Sequence, residues 1–265
     1  MVDEFKDKVD EAVSIIRDSK YLIVLVGAGL SKESGIPTFR GPGGIWTKYG
    51  EPPMNGFQEF LNDPNQYWLN QIERDNEENG PSAEMRKTLA VAVPNPGHIA
   101  LATLEEIGIL KFTITQNIDN LHFRAGNVKV VEIHGNRYKL RCIECGLRVN
   151  RDDFLIDDYP PRCPECGGLI KGDGVMFGEP IPAQWLSTCY DQVNLCDAML
   201  LVGTSGTVFP AASFPEIAKR QGAKLIEVNP LDTSLSTLCD VIIRSPSAEA
   251  LPIILQELKI SLDSL

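Results

Sequence analysis

Apolar positions along this chain repeat with two different periods. Phe5, Val9, Ala12, Val13 and Ile16 recur at helical spacing and predict an amphipathic helix at the start. Tyr21 to Val26 (YLIVLV) is a continuous apolar run with β-branched residues, the mark of a strand buried on both faces of a parallel sheet. Similar short runs at 111–115, 128–133, 198–202, 224–228 and 241–243 predict further strands. Helical patterns fall at 58–72, 97–107, 210–221 and 248–259. Residues 42–56 hold four Gly and three Pro and read as a loop, and the acidic stretch 73–84 reads as mobile. From 139 to 175 the periodicity breaks, with four cysteines among Pro and Gly. Strands alternating with helices predict an α/β, doubly wound parallel sheet over 1–138 and 176–265, with a small inserted module at 139–175.

Charge narrows the possible functions. Lys and Arg total 25 against 36 Asp and Glu, a formal net charge of −11, which argues against direct nucleic-acid or anionic-membrane binding as the main activity. Eight acids and one base between 51 and 84 give −7, so most of the excess lies in one stretch. No run approaches the ~18 apolar residues of a membrane span, and the N-terminus lacks the apolar core of a secretory signal. These features predict a cytoplasmic protein with reduced thiols.

Cys142-x2-Cys145, then seventeen residues, then Cys163-x2-Cys166 is a strong metal signature. Four thiolates around one Zn²⁺ leave no open position, so the predicted site is structural. Cys189, Cys196 and Cys239 follow no pairing pattern.

Gly27-Ala28-Gly29-Leu30-Ser31 follows the first strand directly. Glycines there permit a positive-φ turn and a close approach to phosphate, although Lys32 occupies the last position of the simple dinucleotide pattern. Read alone, a ligand-free tight turn explains the same letters. Gln116, Asn117 and Asp119 follow the strand at 111–115, at the end of a strand where α/β sheets bind ligands. They could bind a ligand or simply cap a helix. His134 follows the strand at 128–133 and is either a proton acceptor or a structural imidazole.

The longer strings resolve these alternatives. GAGLSKESGIPTFRG (Gly27 to Gly41), TQNIDNLH (Thr115 to His122), His134-Gly135, the four cysteines, FGEP (Phe177 to Pro180), GTSGTVFPA (Gly203 to Ala211) and Val228-Asn229 occur in the order seen in the sirtuins. From about residue 12 to 255 the chain resembles this family of NAD-dependent protein deacylases. The resemblance implies a Rossmann-like sheet with an inserted zinc ribbon, and a deacylase, most simply a deacetylase, acting on acylated lysine in a protein or peptide. It implies an NAD site from Gly27, Ala28, Gly29, Ser31, Phe39, Arg40, Gln116, Gly203, Thr204, Ser205, Asn229 and the backbone at Cys239. Asn117, Asp119 and Ile36 would seat the nicotinamide. His134 would take a proton from a ribose hydroxyl, with Asn117 as its catalytic partner in the pocket. Val175, Phe177, Gly178 and Glu179 would form the substrate edge, and Gly206 to Pro210 its other flank. His122 would pack and hydrogen-bond, and His98 is assigned no chemistry.

Two departures stand out. Asn120 replaces the Gly usual after Gln-Asn-Ile-Asp, and Gly174 replaces an apolar residue before Phe-Gly-Glu. The Tyr-x-x-Arg pair of succinyl-preferring members is incomplete here, with Arg86 present but Ala83 in place of Tyr, so acetyl or longer apolar acyl groups are expected. ADP-ribosyl transfer from the same pocket, an NAD-sensing binding module and a zinc-containing dehydrogenase are the competing readings.

Overall fold

The structure, a computed structural model, describes residues 2–263, with side chains from 4 to 259. Its helices are α1 (Val2–Asp18), α2 (Ile45–Tyr49), α3 (Gly56–Asn62), α4 (Pro64–Asn76), α5 (Pro81–Val91), α6 (Pro96–Glu106), α7 (Leu121–Ala125), α8 (Ala183–Leu195), α9 (Phe214–Arg220) and α10 (Ser247–Asp263). Its strands are β1 (Leu22–Val26), β2 (Leu110–Thr115), β3 (Val130–Glu132), β4 (Lys139–Cys142), β5 (Arg148–Asn150), β6 (Ile170–Gly172), β7 (Ala198–Val202), β8 (Lys224–Val228) and β9 (Val241–Ile243). Six strands form one parallel sheet in the order β3-β2-β1-β7-β8-β9.

Alternation along β1 explains the two helical layers. Leu22, Val24 and Val26 join a core with Val9, Leu101, Leu251 and Ile254 from α1, α6 and α10. Ile23 and Leu25 point the other way, into a core with Val193 of α8 and Phe214 and Ala218 of α9. Every residue of β1 and β7 is buried, and burying each of their Val, Leu, Ile and Met side chains contributes ~1.5–3 kcal/mol. Strand order reverses between β1 and β7, so the carboxyl ends of these neighbours open a crevice.

The inserted module is a three-stranded antiparallel sheet in the order β5-β4-β6. Its core holds Leu140, Cys142, Cys163 and Ile170, but also Trp68 of α4. The Trp68 indole N–H donates to Ile170 O at 3.0 Å. The α3–α4 pair therefore shares a core with the cysteine module.

Several elements differ from the sequence reading. The helix expected over 58–72 is two helices, broken at Asp63-Pro64. The Asp63 carboxylate accepts from the Gln66 N–H at 2.9 Å, and Pro64 opens α4. The stretch 73–84 is ordered as the end of α4 and the start of α5. Arg86 ties it down, donating to Arg74 O at 3.1 Å and Glu77 O at 2.5 Å. The loop 42–56 contains α2, and α8 has no counterpart among the expected helices.

Candidate active site

The glycine turn works by close approach. Gly27 is extended, at φ −122°, and a Cβ on it would come within 2.7 Å of Gly203 O. On Gly29 a Cβ would lie 2.6 Å from Gly203 Cα. Only Gly203 takes a left-handed φ, +58°. The positive-φ turn expected at 27–29 is therefore corrected: these glycines let the ends of β1 and β7 touch. The Gly29 N–H donates to Gly203 O at 2.8 Å and is not free for a phosphate. A 3₁₀ segment, Ala28–Ser34, follows. Gly29→Ala should destabilise the protein by ~1–3 kcal/mol through overpacking, read as a lower melting temperature.

Beyond β2, Gln116 donates to Thr204 Oγ1 at 2.9 Å, joining the ends of β2 and β7. Asn117 is buried and donates from Nδ2 to Gly27 O at 3.1 Å and to Ser31 Oγ at 3.0 Å. The Ser31 hydroxyl donates to Asp119 at 2.6 Å. Asp119 also accepts from the Leu121 N–H at 2.9 Å, so it satisfies the turn into α7 while facing Ser31. The capping reading and the pocket reading hold together for this residue. Asn120 takes φ +65°, the conformation a glycine would favour, and its side-chain Oδ1 accepts from Asn136 Nδ2 at 2.9 Å.

His134 lies just past β3, with Nδ1 3.2 Å from Gln116 O. An imidazole facing a carbonyl carries its proton on that nitrogen, which leaves Nε2 as the acceptor. Burial pushes its pKa down, and the Gln116 carbonyl opposes this. His122 is buried, with Nδ1 3.4 Å from Asn127 Oδ1. His98 is fully buried at the start of α6, where its Nδ1 accepts from the Asn95 N–H at 3.4 Å. Burial pushes its pKa to about 3, so it stays neutral.

A cavity of about 920 Å³ runs across these strand ends. Gly27, Ala28, Gly29, Phe39, Arg40, Gln116, Asn117 and His134 line it from the β1–β3 side. Gly203, Thr204, Ser205 and Asn229 line it from β7 and β8. Val175, Phe177, Gly178 and Glu179 form a further wall. Ser31, Ile36 and Asp119 line a smaller adjoining chamber, which shares Ala28, Phe39 and Asn117 with the first. Cys239 lines neither; its thiol donates to Leu235 O at 3.3 Å. Glu179 turns its carboxylate inward, to Arg141 and Lys171. Sequence reasoning missed Trp46, which lies between Phe39 and Phe177 with ring centroids at 4.9 and 5.6 Å. The Arg40 guanidinium lies 4.8 Å from the Trp46 ring. A Trp within a glycine-rich loop was the available signal. Phe209, 74 % exposed, also lines the cavity at the other flank.

The four cysteine sulfurs all lie within 4.8 Å of one another. Cys142 and Cys166 are 3.5 Å apart, and Cys145 and Cys163 are 3.6 Å apart. A tetrahedron with Zn–S near 2.3 Å has edges of roughly 3.8 Å, so the set fits zinc. Gly146 and Gly167 take φ +77° and +75°, the turns the knuckles need. The large cavity fits an extended dinucleotide by its donor set: the Arg40 guanidinium, the Gln116 and Asn229 amides and the Thr204 and Ser205 hydroxyls belong to residues that line it.

The comparisons with known proteins agree. The Sir2 family model matches residues 27–210. An NAD-dependent protein deacylase of Thermococcus sibiricus is 41 % identical over 263 residues, covering 97 % of this chain and 98 % of the relative. NAD-dependent protein deacylase 2 of Pyrobaculum aerophilum is 39 % identical over 245 residues, covering 92 % and 94 %. The solved complex of a Sir2 homolog with NAD superposes with a TM-score of 0.78 at 36 % identity, over 96 % of this chain and 94 % of that one. A Sir2–p53 peptide–NAD⁺ complex gives 0.75 at 32 % identity, over 95 % and 99 %. Strand order, strand-end chemistry and relatives near 40 % identity converge, and this chain belongs to the Sir2 family.

Proposed function

We propose that this chain is an NAD-dependent protein-lysine deacylase that moves the acyl group from lysine to ADP-ribose and releases nicotinamide. The observation that carries this is the His134 imidazole, anchored through Nδ1 to Gln116 O on the wall of the cavity. Named relatives with this activity match nearly the whole chain.

NAD supplies the glycosidic bond to nicotinamide and the ribose that receives the acyl group. Gly27, Gly29 and Gly203 bring the ends of β1 and β7 together to form its floor, while Ala28, Arg40, Gln116, Thr204, Ser205 and Asn229 would hold it. Asn117, Asp119, Ser31 and Ile36 seat the nicotinamide end. Phe39, backed by Trp46, excludes water. His134 Nε2 accepts a proton from the ribose hydroxyl. Val175, Phe177 and Gly178 receive an acyl-lysine peptide in extended form, a mode in which backbone bonds tolerate many sequences. The Sir2–p53 peptide complex among the solved relatives supports a peptide substrate.

Acetyl or an apolar acyl group is the preferred cargo. Arg86 spends its guanidinium on the carbonyls of Arg74 and Glu77 and acts as a cap for the end of α4. The acidic stretch is also partly neutralised locally: Glu51 pairs with Arg40 at 2.9 Å and Glu84 with Lys48 at 2.6 Å. A cytoplasmic location fits its unpaired cysteines, and among the described residues no helix is long and apolar enough to cross a membrane.

A panel of acetyl, succinyl and long-chain acyl peptides with NAD tests this reading. Acetyl or long-chain peptides should turn over faster than succinyl; preferential turnover of succinyl would contradict it. Asn117→Ala should lower kcat/KM for NAD by ~10–100-fold, as a buried polar cluster loses its donor. The pH profile gives another check. Only neutral His134 can accept a proton, and burial lowers its pKa from 6.5. Activity should therefore persist below pH 6.5 and fall only as pH drops through the lowered value. An acidic limb centred above 6.5 would contradict the assignment.

A further inference from the structure

A buried charge cluster lies behind the wall that carries Val175 and Phe177, and the chemistry above does not use it. Lys171 of β6 has a side chain that is 0 % exposed, and that of Glu179 is 2 % exposed. Lys171 Nζ donates to Glu179 Oε2 at 2.9 Å, to Gly174 O at 2.6 Å and to Gly172 O at 2.9 Å. All three ammonium protons are thus spent within one short segment. The same Glu179 oxygen accepts from the Met176 N–H at 2.9 Å, and its other oxygen accepts from Arg141 Nη2. A buried ammonium is costly unless every proton finds an acceptor, and here each one does.

The other side of this segment meets the catalytic strand end. The Val175 N–H donates to His134 O at 2.9 Å. Gly135, at φ +81°, lies so close to Asp173 O that no Cβ would fit there. Between these anchors lies Gly174, which gives the main chain no stiffness of its own. A side chain at Gly174 would meet only His134 O, at 4.0 Å, so packing does not fix its position. The Val175 N–H bond to His134 O and the Phe57 N–H bond to Phe177 O at 3.1 Å fix two points of the edge that an extended peptide would pair with, and the Lys171 ammonium fixes Gly174 O and Glu179 on either side of them.

We propose that Lys171 is a positioning residue for the acyl-lysine substrate: through Gly174 O and Glu179 it holds the 174–178 edge in register with His134. This rests on the reading of that edge as the peptide site.

Lys171→Met tests it, in zinc-loaded protein with an acetyl-lysine peptide. KM for the peptide should rise by about tenfold or more, the worth of hydrogen bonds to a charged group, while KM for NAD stays unchanged. Amide hydrogen exchange should speed up at 174–178. An unchanged peptide KM, or equal rises for peptide and NAD, would overturn the proposal, because a purely structural lysine would affect both substrates alike. If Lys171→Met does not fold, Glu179→Gln removes the pair while keeping its shape and should give the same split. The exchange measurement separates this proposal from the activity reading. If the wild-type protein turned over no acyl peptide, the function would fall; unchanged exchange at 174–178 in the variant would still overturn the clamp.

Discussion

His134→Ala should lower deacylation by ~10²–10⁴-fold, the usual contribution of a positioned general base. The loss should fall on kcat, with KM for the peptide and the melting temperature little changed. Two features of the geometry give that pattern. The imidazole is held by one bond from Nδ1 to Gln116 O, and its removal leaves only a carbonyl at the cavity wall. The contact that ties this strand end to the substrate edge uses the His134 backbone oxygen, which alanine keeps. A variant that lost peptide affinity but kept kcat would show that His134 shapes the site without handling the proton. Full retained activity would remove it from the chemistry.

Loss of zinc should be as damaging, by a different route. Cys163→Ser, or a strong chelator, should abolish activity and unfold the cysteine module. Structural zinc sites supply ~10–16 kcal/mol in small zinc peptides, far more than a three-stranded sheet of this size can replace. The damage should spread beyond 139–175. Trp68 of α4 packs against Leu140, Cys142 and Ile170, so α3 and α4 should lose protection in hydrogen exchange along with the module. Four sulfurs close the site, so the metal acts on the fold and not on substrate. Refilling with Co²⁺ should restore both activity and exchange protection. Protection restored without activity would point to a chemical role for the metal.

The parts of this protein that were legible in the sequence are those set by local pattern. β1 and β7 read as buried strands because nothing interrupts their apolar runs, and the cysteine spacing alone marks the metal set. The missed parts depend on partners distant in sequence. Segment 73–84 looks mobile by composition, but Arg86 and Lys87 donate back to its carbonyls. The role of Gly27 and Gly29 is invisible to local pattern because Gly203, against which they pack, lies far along the chain. Glu179 reads as a substrate residue by its motif, yet its carboxylate belongs to a buried network with Arg141 and Lys171. The helix α8 was recoverable: Leu186, Cys189, Tyr190 and Val193 recur at helical spacing, and all pack into the core below the sheet.

One reaction tests the central claim most directly. An acetyl-lysine peptide is incubated with NAD and the zinc-loaded protein, and every product is weighed by mass spectrometry. Acyl transfer predicts free nicotinamide, lysine peptide lighter by one acetyl group, and acetyl-ADP-ribose, all in equal amounts. A peptide heavier by one ADP-ribose, or one unchanged while NAD is consumed, would contradict it.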